Sequence, residues 1–274
     1  MRRRSPLAAA IAAATLLAMF AHTASAIPAT GLNPAPTAHG GTGQRAPCVI
    51  LLHGLGRTAR SMAPLARALQ RDGYVVANIG YPSRAQRIEA LAADALPRGL
   101  DHCRQAQAAP IHVVTHSMGG ILTRQFLATH EVTDLGRVVM LGPPNQGSAV
   151  ADRLMATAAY RRFNGPAGQQ LGTGPEGIAA SLGPVRFPLG VLAGRETTLV
   201  DEVVSRGIPG EGDGKVLVAE TRVEGMSDFR VLDVDHTFMM RDPVAIAEVR
   251  RFLREGRFSP PAAEADREGA ARRQ

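Results

Sequence analysis

Ile111-His112-Val113-Val114-Thr115-His116-Ser117-Met118-Gly119-Gly120 is the stretch whose reading decides the fold. Its first four residues include three β-branched side chains and suit a strand covered on both faces, as in a parallel sheet. A helical pattern follows to about His130, so the chain must turn sharply from strand to helix at His116 to Gly120. A serine at such a turn is held on a constrained backbone at the top of a sheet, with its hydroxyl directed outward. Small neighbours let the helix pack close. Gly119 and Gly120 supply that smallness on the far side, while on the near side Thr115 stands where the G-x-S-x-G pattern has glycine. A plain strand-to-helix turn would look much the same, so the role of Ser117 rests on what the rest of the chain supplies.

Outward from this turn, buried strands and helices alternate. Val49-Ile50-Leu51-Leu52 is a wholly apolar run ending at His53-Gly54. Ser61 to Arg71 has helical spacing through Met62, Leu65 and Leu69, and Gly73 stops it. Tyr74 to Ile79 reads as the next strand, and Ala85 to Arg104 as helix interrupted at Pro97. Arg137 to Leu141 is a further strand, closed by Gly142-Pro143-Pro144. The alternation predicts an α/β fold: a mostly parallel central sheet, right-handed crossovers and helices on both faces. Over residues 148–187 the rhythm breaks. Ala-rich helical potential around Asp152 to Phe163 gives way to glycines, which predicts a short cap insertion over the carboxyl ends of the strands. Strand signals resume at Leu189 to Ala193 and Phe229 to Val234, and a helix from Pro243 to Leu253 closes a domain spanning 47–254.

Three features give the serine a context. Leu52-His53-Gly54-Leu55-Gly56 follows an early buried strand, where the backbone N–H of Leu55 can join that of Met118 to hold an oxyanion; His53 then orients the loop and transfers no protons. His236, in Val234-Asp235-His236-Thr237-Phe238, lies between the last strand and the last helix, at the carboxyl edge of the sheet where a general base is needed. His112, His102 and His130 fall on the elbow strand or near helix ends, out of easy reach of Ser117. An acid must hold the imidazole in one tautomer. Asp213, in Gly210-Glu211-Gly212-Asp213-Gly214-Lys215-Val216, sits in a turn able to aim a carboxylate inward, although Asp-Gly is also a common surface turn. Asp201 is its rival, being nearer the strand at Leu189 to Ala193, and Asp235 adjoins His236 too closely for the required geometry. The chain order Ser, Asp, His is that of the α/β hydrolases.

The ends read differently. Arg2, Arg3 and Arg4 precede the apolar stretch Leu7 to Ala21, and Ala24-Ser25-Ala26 fits a cleavage site, so residues 1–26 read as a signal peptide of a periplasmic or secreted protein. At about 15 residues the apolar stretch is short for a membrane span. Residues 27–46 form an irregular lead-in, and 255–274 read as a disordered tail. The formal net charge is +7, of which three units lie on the leading arginines. The remaining basic residues are scattered among carboxylates, aromatics make up 4% and Trp is absent, all of which argue against a nucleic-acid platform. No Cys-x-x-Cys spacing supports a structural zinc site. Cys48 and Cys103 both map to the amino-terminal edge of the sheet, where a structural disulfide is expected in an oxidising compartment.

From Pro47 to Leu253 the chain resembles the bacterial lipase/esterase branch of the α/β-hydrolase superfamily, near the class 2 lipases and GPI inositol-deacylase-like hydrolases. Leu51 to Gly56, His116 to Gly120, Pro143-Pro144-Asn145-Gln146-Gly147-Ser148, Gly212 to Val216 and Asp235 to Phe238 carry the likeness. The resemblance implies hydrolysis of a small-molecule or lipid ester by a Ser117–Asp213–His236 triad through an acyl-enzyme, with no metal or organic cofactor. Transient contact with a membrane or lipid surface is compatible with it. The family's aspartate commonly lies in an Asp-Gly-x-Val turn, which ranks Asp213 above Asp201, and small residues other than glycine occur among such lipases at the position of Thr115. Leu154, Met155, Tyr160 and Phe163 of the cap could contact an acyl chain or be ordinary core. An acyltransferase on the same scaffold, or an exported binding module without catalysis, are the alternative readings.

Overall fold

A computed structural model describes residues 45–260 of the chain. The signal segment, all but the end of the lead-in, and residues 261–274 lie outside the described residues. Six strands, β1 (Cys48–Leu52), β2 (Val75–Ile79), β3 (Ile111–His116), β4 (Leu135–Leu141), β5 (Leu189–Gly194) and β6 (Asp228–Leu232), form one sheet in the order β2-β1-β3-β4-β5-β6. Every neighbouring pair is parallel. The sheet is therefore buried on both faces, which is why its inner strands are apolar at successive positions. Cys48, Ile50 and Leu52 of β1 face one core and Val49 and Leu51 the other. Helices α1 (Ala63–Arg71) and α8 (Pro243–Glu255) cover the second face, and α2 (Ile88–Gln105) and α3 (Met118–Leu127) the first. The winding reverses between β1 and β3, so their carboxyl ends flank the crevice where open α/β sheets bind ligands.

The segment between β4 and β5, expected to form the cap and called so below, contains α4 (Ala149–Met155), α5 (Ala158–Gln169) and a 3-10 turn at Ile178–Leu182. Ser148 starts α4 by accepting the N–H of Ala151, and Thr157 starts α5 by accepting that of Tyr160. Between β5 and β6 lie α6 (Leu199–Ser205) and the single turn α7 (Val218–Thr221). Among the described residues no helix is long and apolar enough to cross a membrane.

Two expectations need correction. The helix expected to break at Pro97 runs through it from Ile88 to Gln105. Proline removes one backbone donor there, but Leu91, Ala95, Leu96, Leu100 and Cys103 are buried on either side, and packing holds the helix across the gap. Residues 255–260, expected to be part of an irregular tail, pack instead against the domain. Gly256, at φ +77°, ends α8 and the chain folds back, burying the Phe258 ring 4.9 Å from that of Phe252. The N–H of Phe258 donates to Asp228 at 2.6 Å and that of Ser259 to Glu248 at 2.8 Å. The Pro- and charge-rich composition concealed this single aromatic anchor.

Cys48 and Cys103 are joined, with Cα atoms 5.7 Å apart, tying the start of β1 to the last turn of α2. The bond closes a loop across 55 residues at the amino-terminal edge, remote from the crevice, and restricts the unfolded chain.

Two buried histidines make the fold sensitive to acid. Burial lowers His53 and His112 from 6.5 to about 4, Arg137 adding to the effect at His112. Between about pH 6.5 and 4 the unfolded chain binds protons that the folded chain refuses, so the stability these residues confer is complete above that window and is lost as pH falls through it. The loss should reach up to about 3 kcal/mol for each. Urea midpoints measured from pH 7 to pH 4.5 are expected to fall. His112→Asn, which can still accept the Arg137 N–H now bonded at 2.8 Å, should flatten part of that slope.

Candidate active site

The turn between β3 and α3 forces Ser117 into φ +54°, ψ −125°, a conformation costly for any residue with a side chain. Two backbone bonds hold it. The Ser117 N–H donates to Leu141 at the end of β4 at 2.8 Å, and its carbonyl accepts the Gly120 N–H at 2.9 Å. Close approach explains the glycines: a Cβ at Gly119 would lie 2.8 Å from the Leu52 carbonyl oxygen, and one at Gly120 3.0 Å from the Met140 sulfur. Thr115 fits because it is wholly buried between its sheet neighbours Leu52 and Met140. Its hydroxyl has no hydrogen-bond partner, the local cost of carrying threonine at this position.

His236 and Asp213 come to the serine from loops after β6 and β5. The His236 Nε2 lies 3.0 Å from the Ser117 hydroxyl and its Nδ1 lies 2.7 Å from Asp213 Oδ2. A carboxylate accepts, so Nδ1 carries the proton and Nε2 offers its lone pair to the Ser117 O–H. All three side chains are nearly out of solvent, Ser117 at 9%, His236 at 4% and Asp213 at 0% exposure. The second carboxylate oxygen of Asp213 accepts the N–H groups of Lys215 at 3.1 Å and Val216 at 2.9 Å. Gly214, at φ +91°, allows the tight turn that supplies them. Asp201 is also buried nearby but is otherwise engaged, accepting from the Lys215 ammonium at 2.5 Å and the Thr198 hydroxyl at 2.9 Å. Asp235 accepts the N–H groups of Thr237 and Phe238 and thereby shapes the histidine loop.

The loop after β1 lies against the start of α3, as the contact of Gly119 with the carbonyls of Leu52 and His53 requires. Among the described residues the N–H groups of Leu55 and Met118 donate to no protein acceptor. His53 braces the loop: its Nδ1–H donates to its neighbour Gly54 at 2.9 Å and its Nε2 accepts the Tyr81 N–H at 3.3 Å. The Tyr81 ring stacks on the His53 ring at 4.1 Å, and the Tyr81 hydroxyl donates to the His53 carbonyl. Ser83 accepts the Gly56 N–H at 3.0 Å.

Tyr81 and Ser83 were missed by sequence reasoning, since nothing local in Tyr81-Pro82-Ser83 marks a contact 28 residues away. Arg124 was missed as well. This α3 guanidinium is buried without a carboxylate, and burial lowers it to about 10. It donates to the Asn145 backbone carbonyl at 2.8 Å and to the Gly183 carbonyl at 2.8 Å, gripping the cap at its root and near its end. Ser148, within the quoted Pro143 to Ser148 loop, donates to the Lys215 carbonyl at 2.6 Å, and Glu220 accepts the Ala149 N–H at 2.7 Å. These bonds staple the cap root to the acid turn. Of the cap residues singled out, Tyr160 is buried, Met155 packs against the core, Leu154 is half-buried and Phe163 is exposed.

Comparison with known proteins agrees with this architecture. The mature form of lipase BlEst2 from Bacillus licheniformis is similar over 83% of this chain and 96% of its own, at 19% identity and a TM-score of 0.63. Esterase Pf2001 of Pyrococcus furiosus is similar over 77% of this chain and 83% of its own, at 17% identity and a TM-score of 0.52. Lipase B of Aspergillus fumigatus is similar over 77% and 53%, at 14% identity and a TM-score of 0.55. At such identities the likeness is one of fold. No curated protein matches the chain in a sequence search. The sequence model described as the alpha/beta hydrolase family matches residues 49–266, from β1 past the end of α8. The parallel sheet, the serine turn after β3 and this match lead to one conclusion: the chain belongs to the alpha/beta hydrolase family.

Proposed function

We propose that the protein is an exported serine hydrolase of carboxylic esters. One observation carries the reading: a strained serine, an imidazole and a buried carboxylate lie in hydrogen-bond series at 3.0 Å and 2.7 Å. Lipases and an esterase of the same fold are compatible with that chemistry. Export is supported by the cationic and apolar leader ending at Ala24-Ser25-Ala26 and by the Cys48–Cys103 disulfide.

Ser117 Oγ attacks the ester carbonyl while His236 Nε2 takes its proton. The oxyanion that forms accepts from the N–H groups of Leu55 and Met118, which need no rearrangement at that moment. His236 returns the proton to the departing alcohol oxygen as the C–O bond breaks, leaving Ser117 acylated. Water then repeats the sequence, giving up a proton to His236 and releasing the acid and the free serine. Asp213 keeps the Nδ1 proton in place and faces the imidazolium in both halves of the reaction.

Ser117→Ala should lower kcat for p-nitrophenyl butyrate by at least three orders of magnitude, and Asp213→Asn by about 10^3- to 10^4-fold, with folding preserved in both. Asp201→Asn, by comparison, should cost less than tenfold in a steady-state assay of the mature protein; equal losses in the two aspartate variants would reverse their assignment.

The cap presses close to the loop after β1, since a Cβ added at Gly168 would lie 3.3 Å from the Leu55 side chain and 3.7 Å from the Tyr160 hydroxyl. This supports a preference for short acyl groups. In an acyl-chain panel, kcat/KM is expected to peak among soluble short esters and fall by dodecanoate. A continued rise with chain length, steepening at a lipid–water interface, would point instead to a lipase whose cap swings away.

A further inference from the structure

His116 takes no part in the proton transfers above, yet it lies against both the His236 loop and the loop after β1. It precedes Ser117 on β3 and is almost wholly buried. Its Nε2 lies 2.9 Å from the carbonyl oxygen of His236, and its ring lies 4.8 Å from the His236 ring. A carbonyl only accepts, so Nε2 carries the proton and Nδ1 presents a lone pair. That Nδ1 has no hydrogen-bond partner, a condition that costs about 1–3 kcal/mol in a buried site. A Cβ added at Gly54 would lie 2.9 Å from the same atom, so the ring also fills the space beneath the loop after β1. Burial drives His116 well below the ordinary imidazole range, and the nearby His236, Arg57 and His53 push in the same direction. The ring therefore stays neutral and does not compete with His236 for a proton.

The His236 backbone has few other anchors. Its N–H reaches the Asp213 carbonyl at 3.3 Å, and among the described residues its own carbonyl accepts from no group but His116. Without that donor a buried carbonyl is left unpaired and the peptide is free to rotate, swinging the ring off the line between Asp213 and Ser117. We propose that His116 is a positioning residue, whose Nε2–H holds the His236 carbonyl and so keeps the His236 ring aimed at Ser117. The proposal rests on His236 being the proton carrier of an ester hydrolase.

Two variants of the full mature chain separate this role from simple packing. In His116→Gln the side-chain amide nitrogen is the same number of bonds from Cβ as Nε2 and can donate to the same carbonyl; in His116→Asn it stops one bond short. With p-nitrophenyl butyrate, H116N should lose about 10- to 100-fold in kcat with KM changed less than about twofold, and H116Q should recover most of the loss. The low-field proton resonance of the His236 Nδ1–H, observed by NMR, should persist in H116Q and broaden or vanish in H116N. Equal kcat in the two variants, losses that follow only the folded fraction measured by circular dichroism, or an unaltered resonance in H116N would overturn the proposal. Parent protein that turns over no ester would count against the hydrolase reading, and the resonance alone would then decide whether His116 holds the ring.

Discussion

Ser117 occupies a backbone conformation that an L-residue adopts only under constraint, at a cost of about 1–3 kcal/mol, and the rest of the molecule is arranged around keeping it there. Parallel pairing of β3 with β1 and β4 fixes the end of the strand, and the Leu141 carbonyl draws the Ser117 N–H across from β4. Helix α3 must start at once and must lie against the loop after β1, which excludes any Cβ at Gly119. The strain thus places the Ser117 hydroxyl at the switch point of the sheet, within hydrogen-bond reach of His236.

The charges of the site are sorted by what each carboxylate accepts. Asp213 and Asp201 are both buried and lie in the same connection between β5 and β6. One oxygen of Asp213 is held by two backbone N–H groups, leaving the other free for the imidazole. Asp201 gives its oxygens to an ammonium and a hydroxyl, so it stiffens the turn without facing His236. Lys215 joins the two, its backbone serving one acid and its side chain the other. His53 and His116 are buried without carboxylate partners, which lowers both; among the described residues His236 is the imidazole at the crevice paired with a carboxylate.

Much of this was legible in the chain because it is local. A buried strand announces itself by unbroken apolar residues, as at Val49 to Leu52, and the serine and histidine stand where such strands end. Asp213 was legible only through its turn and the family's habit of using one, since spacing alone left Asp201 open. Elements failed to be legible where long-range packing outweighs local preference. Helix α2 continues through Pro97 because both its flanks are buried; Phe258 returns to the core from a segment whose composition signals disorder. Within the cap, one expected helix is two, and Gly165 at φ +63° kinks the second where a Cβ would collide with the Arg84 carbonyl. The braces of the site, Tyr81, Ser83, Arg124 and Glu220, reach across tens of residues, and no spacing rule connects them to the groups they hold.

The central claim is that His236 and Asp213 make the Ser117 hydroxyl a nucleophile. Mass spectrometry of the mature protein after treatment with a fluorophosphonate probe tests it most directly. The account predicts one adduct per chain, mapped to the peptide containing Ser117 and lost in the His236→Ala variant. Absence of an adduct in the folded protein, or an adduct on another residue, would contradict it.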